Sequence, residues 1–236
     1  MMKAFFSNIH HKLMHLFLRP IRVFVFHQVS DVYNPDTMWA CDWTKTETFE
    51  QNIKALQKKY AFISLQEAYK HIRYDRFRLK KYAVLTSDDG WASLRNILPW
   101  LISQRIPVTL FLNPSYLLGE ETPQKGETSL LKEEEVEELL KQGAGLLSVA
   151  SHGWTHAFCS TMSLQGFVSS VKNSEAYMSQ KKEYVPFFAY PCGRHTGEQD
   201  VFLIKNNIIP VYCDGMKNYN DPHCIHRECI DEGYTR

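Results

Sequence analysis

Short apolar runs alternate with segments of helical period through most of this chain, and that alternation narrows the fold more than any other feature. Residues 21–27 are a continuous β-branched and aromatic run ending in His27, as expected of a strand buried on both faces. A loop over 28–45 follows, marked by the turn signal Asn34-Pro35-Asp36, and Phe49, Ile53 and Leu56 then fall on one helical face. Further strands are expected over 61–65, 82–86, 107–113, 145–151, 185–190 and 208–212. Helices are expected from Gln66, over 91–104, over 130–142 with Ser129 as N-cap, over 163–180 and over 198–207. A Pro- and Gly-containing loop spans 114–128, and the tail from Asn218 shows no clear period.

Repeated strand–helix units argue for a parallel sheet covered by helices. Six or seven such units in about 215 residues favour a closed or nearly closed barrel over an open doubly wound sheet. No Gly-x-Gly-x-x-Gly turn follows a strand, so nothing supports a dinucleotide fold. The 236 residues suit a single domain, and 44% hydrophobic with 22% charged residues excludes a disordered or fibrous chain. Lys plus Arg number 27 against 26 for Asp plus Glu, so no basic excess points to nucleic acid.

The six cysteines, at 41, 159, 192, 213, 224 and 229, form no Cys-x-x-Cys pair and are read as reduced thiols of a cytoplasmic protein. Residues 1–20 form an amphipathic segment ahead of a catalytic unit over 21–236. That segment has no uninterrupted apolar stretch of the secretory type, and no run approaches the ~20 residues of a membrane span. It is expected to pack on the protein's own core, with peripheral association at the inner membrane face as the alternative.

Polar residues gather where the strands end. His27 closes the first strand, Asp88 and Asp89 follow the strand over 82–86, and His152 follows that over 145–151, with His156 four residues on. Pro191-Cys192-Gly193 follows the strand over 185–190. In a parallel barrel all of these lie at the C-terminal rim, where barrel active sites are built. Adjacent carboxylates repel, so they call for a cation or a shared proton, though Asp-Asp-Gly is also good turn chemistry. A His-x-x-x-His spacing brings two imidazoles to one metal ion when the segment is tightly turned. Together with Asp89 the set is Asp-His-His, which leaves coordination positions open for water and substrate.

These residues resemble the motifs of the polysaccharide deacetylases, the NodB-homology or carbohydrate esterase family 4 enzymes. Thr86-Ser87-Asp88-Asp89-Gly90 is similar to that family's Thr-Phe-Asp-Asp-Gly, and Ser151-His152-Gly153-Trp154-Thr155-His156 to its Ser-His-Thr-x-x-His. Phe188-Ala189-Tyr190-Pro191-Cys192-Gly193 is similar to its Phe-Arg-x-Pro-Tyr-Gly, and the strand ending in His27 resembles the opening of the poly-N-acetylglucosamine deacetylases. The resemblance implies a distorted (β/α)₇ barrel, one divalent metal ion and removal of N-acetyl groups from a sugar or glycan. Zinc is the first expectation for the ion, and cobalt, nickel, iron or manganese are also compatible with Asp-His-His. Carried over residue by residue, Asp89, His152 and His156 would bind the metal, Asp88 would be the base for a metal-activated water, and the backbone N–H of Cys192 would stabilise the oxyanion. His27 would protonate the departing amine. A cytoplasmic location would favour an intermediate of surface-glycan synthesis as substrate.

The chain departs from the family pattern in four places. Ala189 stands where many members have the Arg that pairs with the base, which leaves the tuning of Asp88 open. Cys192 replaces Tyr, Ser87 replaces Phe, and Gly153 replaces Ser or Thr and is expected to loosen its loop. The lost Arg and Tyr leave open an alternative, a carbohydrate-binding protein that kept the barrel and lost turnover. A metal hydrolase of phosphoester or amide substrates is a weaker rival, since His27-Gln28-Val29 lacks the His-x-His common there. The tail's His223, Cys224, His226 and Cys229 fit no common zinc module. Trp91 is expected to start a helix and pack in the core, and Trp154 to lie near the site.

Overall fold

The computed structural model describes residues 18–32, 43–75, 77–120 and 129–230. The first seventeen residues of the expected amphipathic segment lie outside this set, as do Cys41 and the Asn34-Pro35-Asp36 turn. Among the described residues no helix is long and apolar enough to cross a membrane.

Seven parallel strands close into a ring. They are β1 (Arg22–Phe26), β5 (Tyr82–Asp88), β6 (Val108–Leu112), β7 (Leu147–Ser151), β8 (Tyr184–Ala189), β9 (Ile209–Cys213) and β10 (Ile225–Cys229). The order runs β1-β10-β9-β8-β7-β6-β5, and β5 pairs back onto β1 through Arg22↔Ala83 to Phe26↔Ser87. Short strand β4 (Ala61–Phe62) pairs with the start of β5 outside the ring. Strands β2 (Gln28–Val29) and β3 (Trp43–Thr44) form a separate two-stranded piece within the expected loop. A register shift between Val149 and Ser151 distorts the β7–β8 seam. The fold is the α/β barrel the strand count implied.

Side chains alternate across each strand, so the wall has two buried faces. Phe24, Leu85, Leu110 and Val149 pack outward under α1 (Thr46–Gln57), α3 (Leu94–Ser103) and α5 (Glu133–Gln142). Val23, Val84, Phe111, Ala150, Phe187 and Val211 form a second cluster with Leu65, Ala68 and Ile72 of α2 (Leu65–Tyr74). A third cluster joins Phe188 to Phe167 and Leu203, from α6 (Leu164–Met178) and α7 (Gly197–Lys205). The remaining helix, α4 (Pro114–Leu117), is a single turn after β6.

Three expectations need correction. The tail from 218 is not structureless: β10 lies in it and fills the gap between β1 and β9. Residues 91–93 are not helical; Trp91 makes a bridge with Leu130, and Leu131 N–H bonds to Gly90 O at 2.7 Å. Residues 129–131 therefore pack extended against the turn after β5, and α5 starts only at Glu133. Its first turn carries three glutamates at the positive end of the helix dipole, and Glu135 accepts from the Lys132 N–H at 2.8 Å.

Candidate active site

The turn after β5 sends two neighbouring carboxylates in different directions. Asp88 is the last residue of the strand, and Asp89 has φ 71°, in the left-handed region. A non-glycine residue there costs about 1–2 kcal/mol, and such residues gather at functional sites. Gly90 continues the turn at φ 82°, where an added Cβ would come within 2.9 Å of Leu112 Cδ2. Asp89 thereby faces the loop after β7. Its Oδ1 lies 3.4 Å from His152 Nε2 and 3.3 Å from His156 Nε2.

His152 is fixed by what it follows. Its Nδ1 lies 2.8 Å from the carbonyl of Ala189. A carbonyl only accepts, so Nδ1 carries a proton, and Nε2, turned toward Asp89, is the nitrogen that bears the lone pair in the neutral ring. The position of the missing family Arg thus serves the site through its backbone. The loop is not loosened by Gly153, which has φ 82° and could not take a Cβ without approaching Thr155 O at 3.2 Å. Asn113 Nδ2 donates to the carbonyls of His152 and Gly153 at 2.6 and 3.2 Å, and Ser170 Oγ accepts from Trp154 N–H at 3.0 Å.

These three residues fit a divalent cation. Asp89 Oδ1 is buried with no hydrogen-bond partner, an arrangement that is costly unless something else satisfies the oxygen. Ligand atoms of Asp89, His152 and His156 lie within 4.8 Å of one another, and among the described residues they are the one such group. The second oxygen, Oδ2, accepts from Trp91 Nε1 at 3.1 Å. Trp91 was expected in the core; it orients the Asp89 carboxylate instead. Among its described residues the tail offers no comparable group: Cys224 lies 3.4 Å from His226 Nε2, while His226 Nδ1 lies 2.7 Å from Asp214.

Asp88 is held from across the barrel. Arg227 on β10 donates from Nη1 to Oδ1 at 2.6 Å and from Nη2 to Oδ2 at 2.7 Å. Both side chains are almost wholly buried, and the guanidinium lies over the Phe111 ring, 5.1 Å from its centroid. Burial works against the Asp88 charge, but Arg227 and His152 outweigh it and hold the carboxyl below its usual range. Sequence reasoning did not pair Arg227 with Asp88. An Arg flanked by His226 and Glu228 in an aperiodic tail carries no mark of burial; only its inward register on β10 reveals it.

His27 follows β1 half-buried, near enough to both aspartates to favour their charged forms, though less than Arg227 and His152 do for Asp88 or His152 and His156 do for Asp89. Cys192 sits in the tight turn Pro191–Gly193 at φ 53° with its side chain exposed. The barrel thus brings His27, Asp88, Asp89, His152 and Arg227 to one end of its strands, with the Cys192 turn on the rim beyond β8.

Comparison with known proteins agrees with this geometry. Residues 76–204, just over half of the chain, match the polysaccharide deacetylase family. The chain belongs to that family. The barrel is similar to that of the Streptococcus pyogenes deacetylase PplD in complex with acetate, with TM-score 0.76 at 19% identity over 91% of this chain and 94% of that one. It is also similar to IcaB from Ammonifex degensii (TM-score 0.74, 20% identity, 89% and 91% covered). A third likeness is to the de-N-acetylase from Aggregatibacter actinomycetemcomitans (TM-score 0.72, 16% identity, 90% and 95% covered). No curated protein sequence matches the chain. At these identities the structural likenesses establish the fold, and the family match establishes the relationship.

Proposed function

We propose that this polysaccharide deacetylase family member is a metal-dependent hydrolase that removes N-acetyl groups from a sugar or glycan. The observation that carries the reading is the buried, unpartnered Oδ1 of Asp89 between two imidazole nitrogens, one residue from a carboxylate gripped by Arg227. Asp89, His152 and His156 would hold the ion, with zinc the best match to the donor set. When bound, the cation supplies a Lewis acid beside the scissile carbonyl and makes a neighbouring water more acidic.

Asp88 takes the proton of the attacking water. Arg227 keeps it ionised and aims it, the service that the Ala189 position cannot give. The backbone N–H of Cys192 is assigned to the oxyanion, where one such donor is worth about 3 kcal/mol. His27 gives a proton to the departing amine, the general-acid work that enzymes most often assign to a histidine. The binding-protein alternative drew on the missing Arg and the missing Tyr, and Arg227 answers the first of these.

The test is acetate release from a panel of N-acetylated glycans and sugar conjugates. Chelator-stripped protein, the same protein refilled with zinc, cobalt or nickel, and the Asp88→Asn and Asp89→Asn variants are compared. Metal-dependent release lost in both variants is the expected result. Metal binding that needs Asp89, with no acetate from any substrate, would return the binding-protein reading.

A further inference from the structure

Two cysteines that this chemistry does not use stand together at the barrel mouth. Cys213 ends β9, Cys229 ends β10, and their sulfurs are 3.6 Å apart. Residues two apart on a strand share a face, so Cys229 lies on the inward face that carries Arg227. Cys213 is the direct register partner of Arg227 across the seam. The guanidinium that grips Asp88 is therefore bracketed by thiols. Cys213 also abuts the turn that carries Cys192: a Cβ built on Gly193 would lie 3.9 Å from Cys213 Cβ and from its carbonyl oxygen. The pair is reachable from solvent, with Cys213 exposed and Cys229 half-buried, whereas Cys159 and Cys224 are buried.

The two thiols differ in character. The hydrogen bond from Cys229, with help from the Arg227 charge and against burial, holds the Cys213 thiol down to about 7. The same hydrogen bond, with burial, pushes Cys229 up. A thiol that ionises near neutral pH, beside one that keeps its proton, has the properties of a nucleophile and its resolving partner.

We infer that Cys213 and Cys229 are a redox modification site, which exchanges with low-molecular-weight disulfides to close a reversible cystine across the barrel mouth. The Cys213 thiolate attacks one sulfur of the small disulfide, forms a mixed disulfide and expels one small thiolate. Cys229 gives its proton to that thiolate and attacks the Cys213 sulfur, expelling the second. Two electrons leave the protein dithiol, and the small disulfide becomes two thiols once the second thiolate takes up the proton lost by Cys213. A cystine bond is about 2.05 Å, so closure draws sulfurs now 3.6 Å apart together by about 1.5 Å. A consequence that rests on the hydrolase reading follows. Closure shifts Arg227 relative to Asp88 and slows acetate release roughly tenfold or more, since small displacements of an aligned group are expensive.

The experiment equilibrates the full chain in graded mixtures of reduced and oxidised glutathione, traps free thiols by alkylation and maps the peptides. The expected result is one cystine joining Cys213 to Cys229, reopened by dithiothreitol, with Cys229→Ser arrested as a mixed disulfide on Cys213. No cystine at any ratio, a cystine that engages Cys192, or failure of Cys229→Ser to trap the mixed disulfide overturns the site. Acetate release from the same samples should fall on bridging, recover on reduction and stay constant in Cys213→Ser. An unchanged rate in fully bridged protein overturns the coupling to Arg227. If the reduced protein releases no acetate, it is the hydrolase reading that fails, and the thiol map alone decides the cystine.

Discussion

Arg227 meets Asp88 with both terminal nitrogens, at 2.6 and 2.7 Å, from a position 139 residues further along the chain. The pair is buried, so removing one partner strands the other. Arg227→Ala should cost about 3–5 kcal/mol of stability, whereas a double change to uncharged residues, Asp88→Asn with Arg227→Met, should be close to neutral. Neither variant should release acetate. Thermal unfolding with acetate assays checks both, and a double variant that recovers activity along with stability would remove Asp88 from the mechanism.

Trp91 should act on metal affinity rather than on folding. Its indole N–H holds Asp89 Oδ2 at 3.1 Å. Trp91→Phe keeps the ring's bulk and loses the donor. Removing such an outer partner of a ligand typically costs 10–100-fold in affinity, and that is the drop expected in zinc titration calorimetry. The melting temperature of the metal-free protein should move little.

His27 is assigned to the leaving group, and leaving groups can be varied. His27→Gln should slow hydrolysis of an N-acetyl sugar by about 10²–10⁴, the usual worth of a general acid. An acetyl ester of an acidic phenol departs without protonation and should lose much less. Equal losses on both substrates would place His27 elsewhere in the chemistry.

Glu175 gives the fold a pH dependence separate from the site. It accepts from the Tyr184 hydroxyl, but its Oε1 is buried without a partner, and burial raises its pKa from the ordinary 4.5 to about 7. In that window the folded state holds a proton that the unfolded state has released. Stability contributed at low pH is therefore lost as pH rises from about 4.5 through 7. The loss is on the order of 3 kcal/mol. Glu175→Gln should flatten that slope and raise the melting temperature at pH 8.

What the chain disclosed and what it hid follow one physical rule. Strands such as β1 and β6, apolar on both faces, announce themselves as unbroken runs, and the residues just beyond them announce the rim. Strand β10 reads Ile-His-Arg-Glu-Cys and does not. Its inward positions hold Ile225 and Arg227, each at most 1% exposed, and a charge satisfied by a distant carboxylate looks in sequence like a charge satisfied by water. Trp91 was legible as buried mass but not as a donor, because its partner is fixed by the left-handed turn at Asp89. Gly153 looked like slack until its positive φ and the clamp from Asn113 were seen together.

The place of β10 between β1 and β9 also orders events during synthesis. Arg22 of β1 and Glu228 of β10, which form an ion pair across that seam, are made 206 residues apart. A growing chain that has not yet reached β10 carries a barrel with a slot in its wall, two unpaired parallel edges, and an Asp88 with no counter-charge. Open edges of that kind invite pairing with other chains. The slot and the missing charge are filled by the same five residues, so the open edges close in the same step that gives the carboxylate its partner.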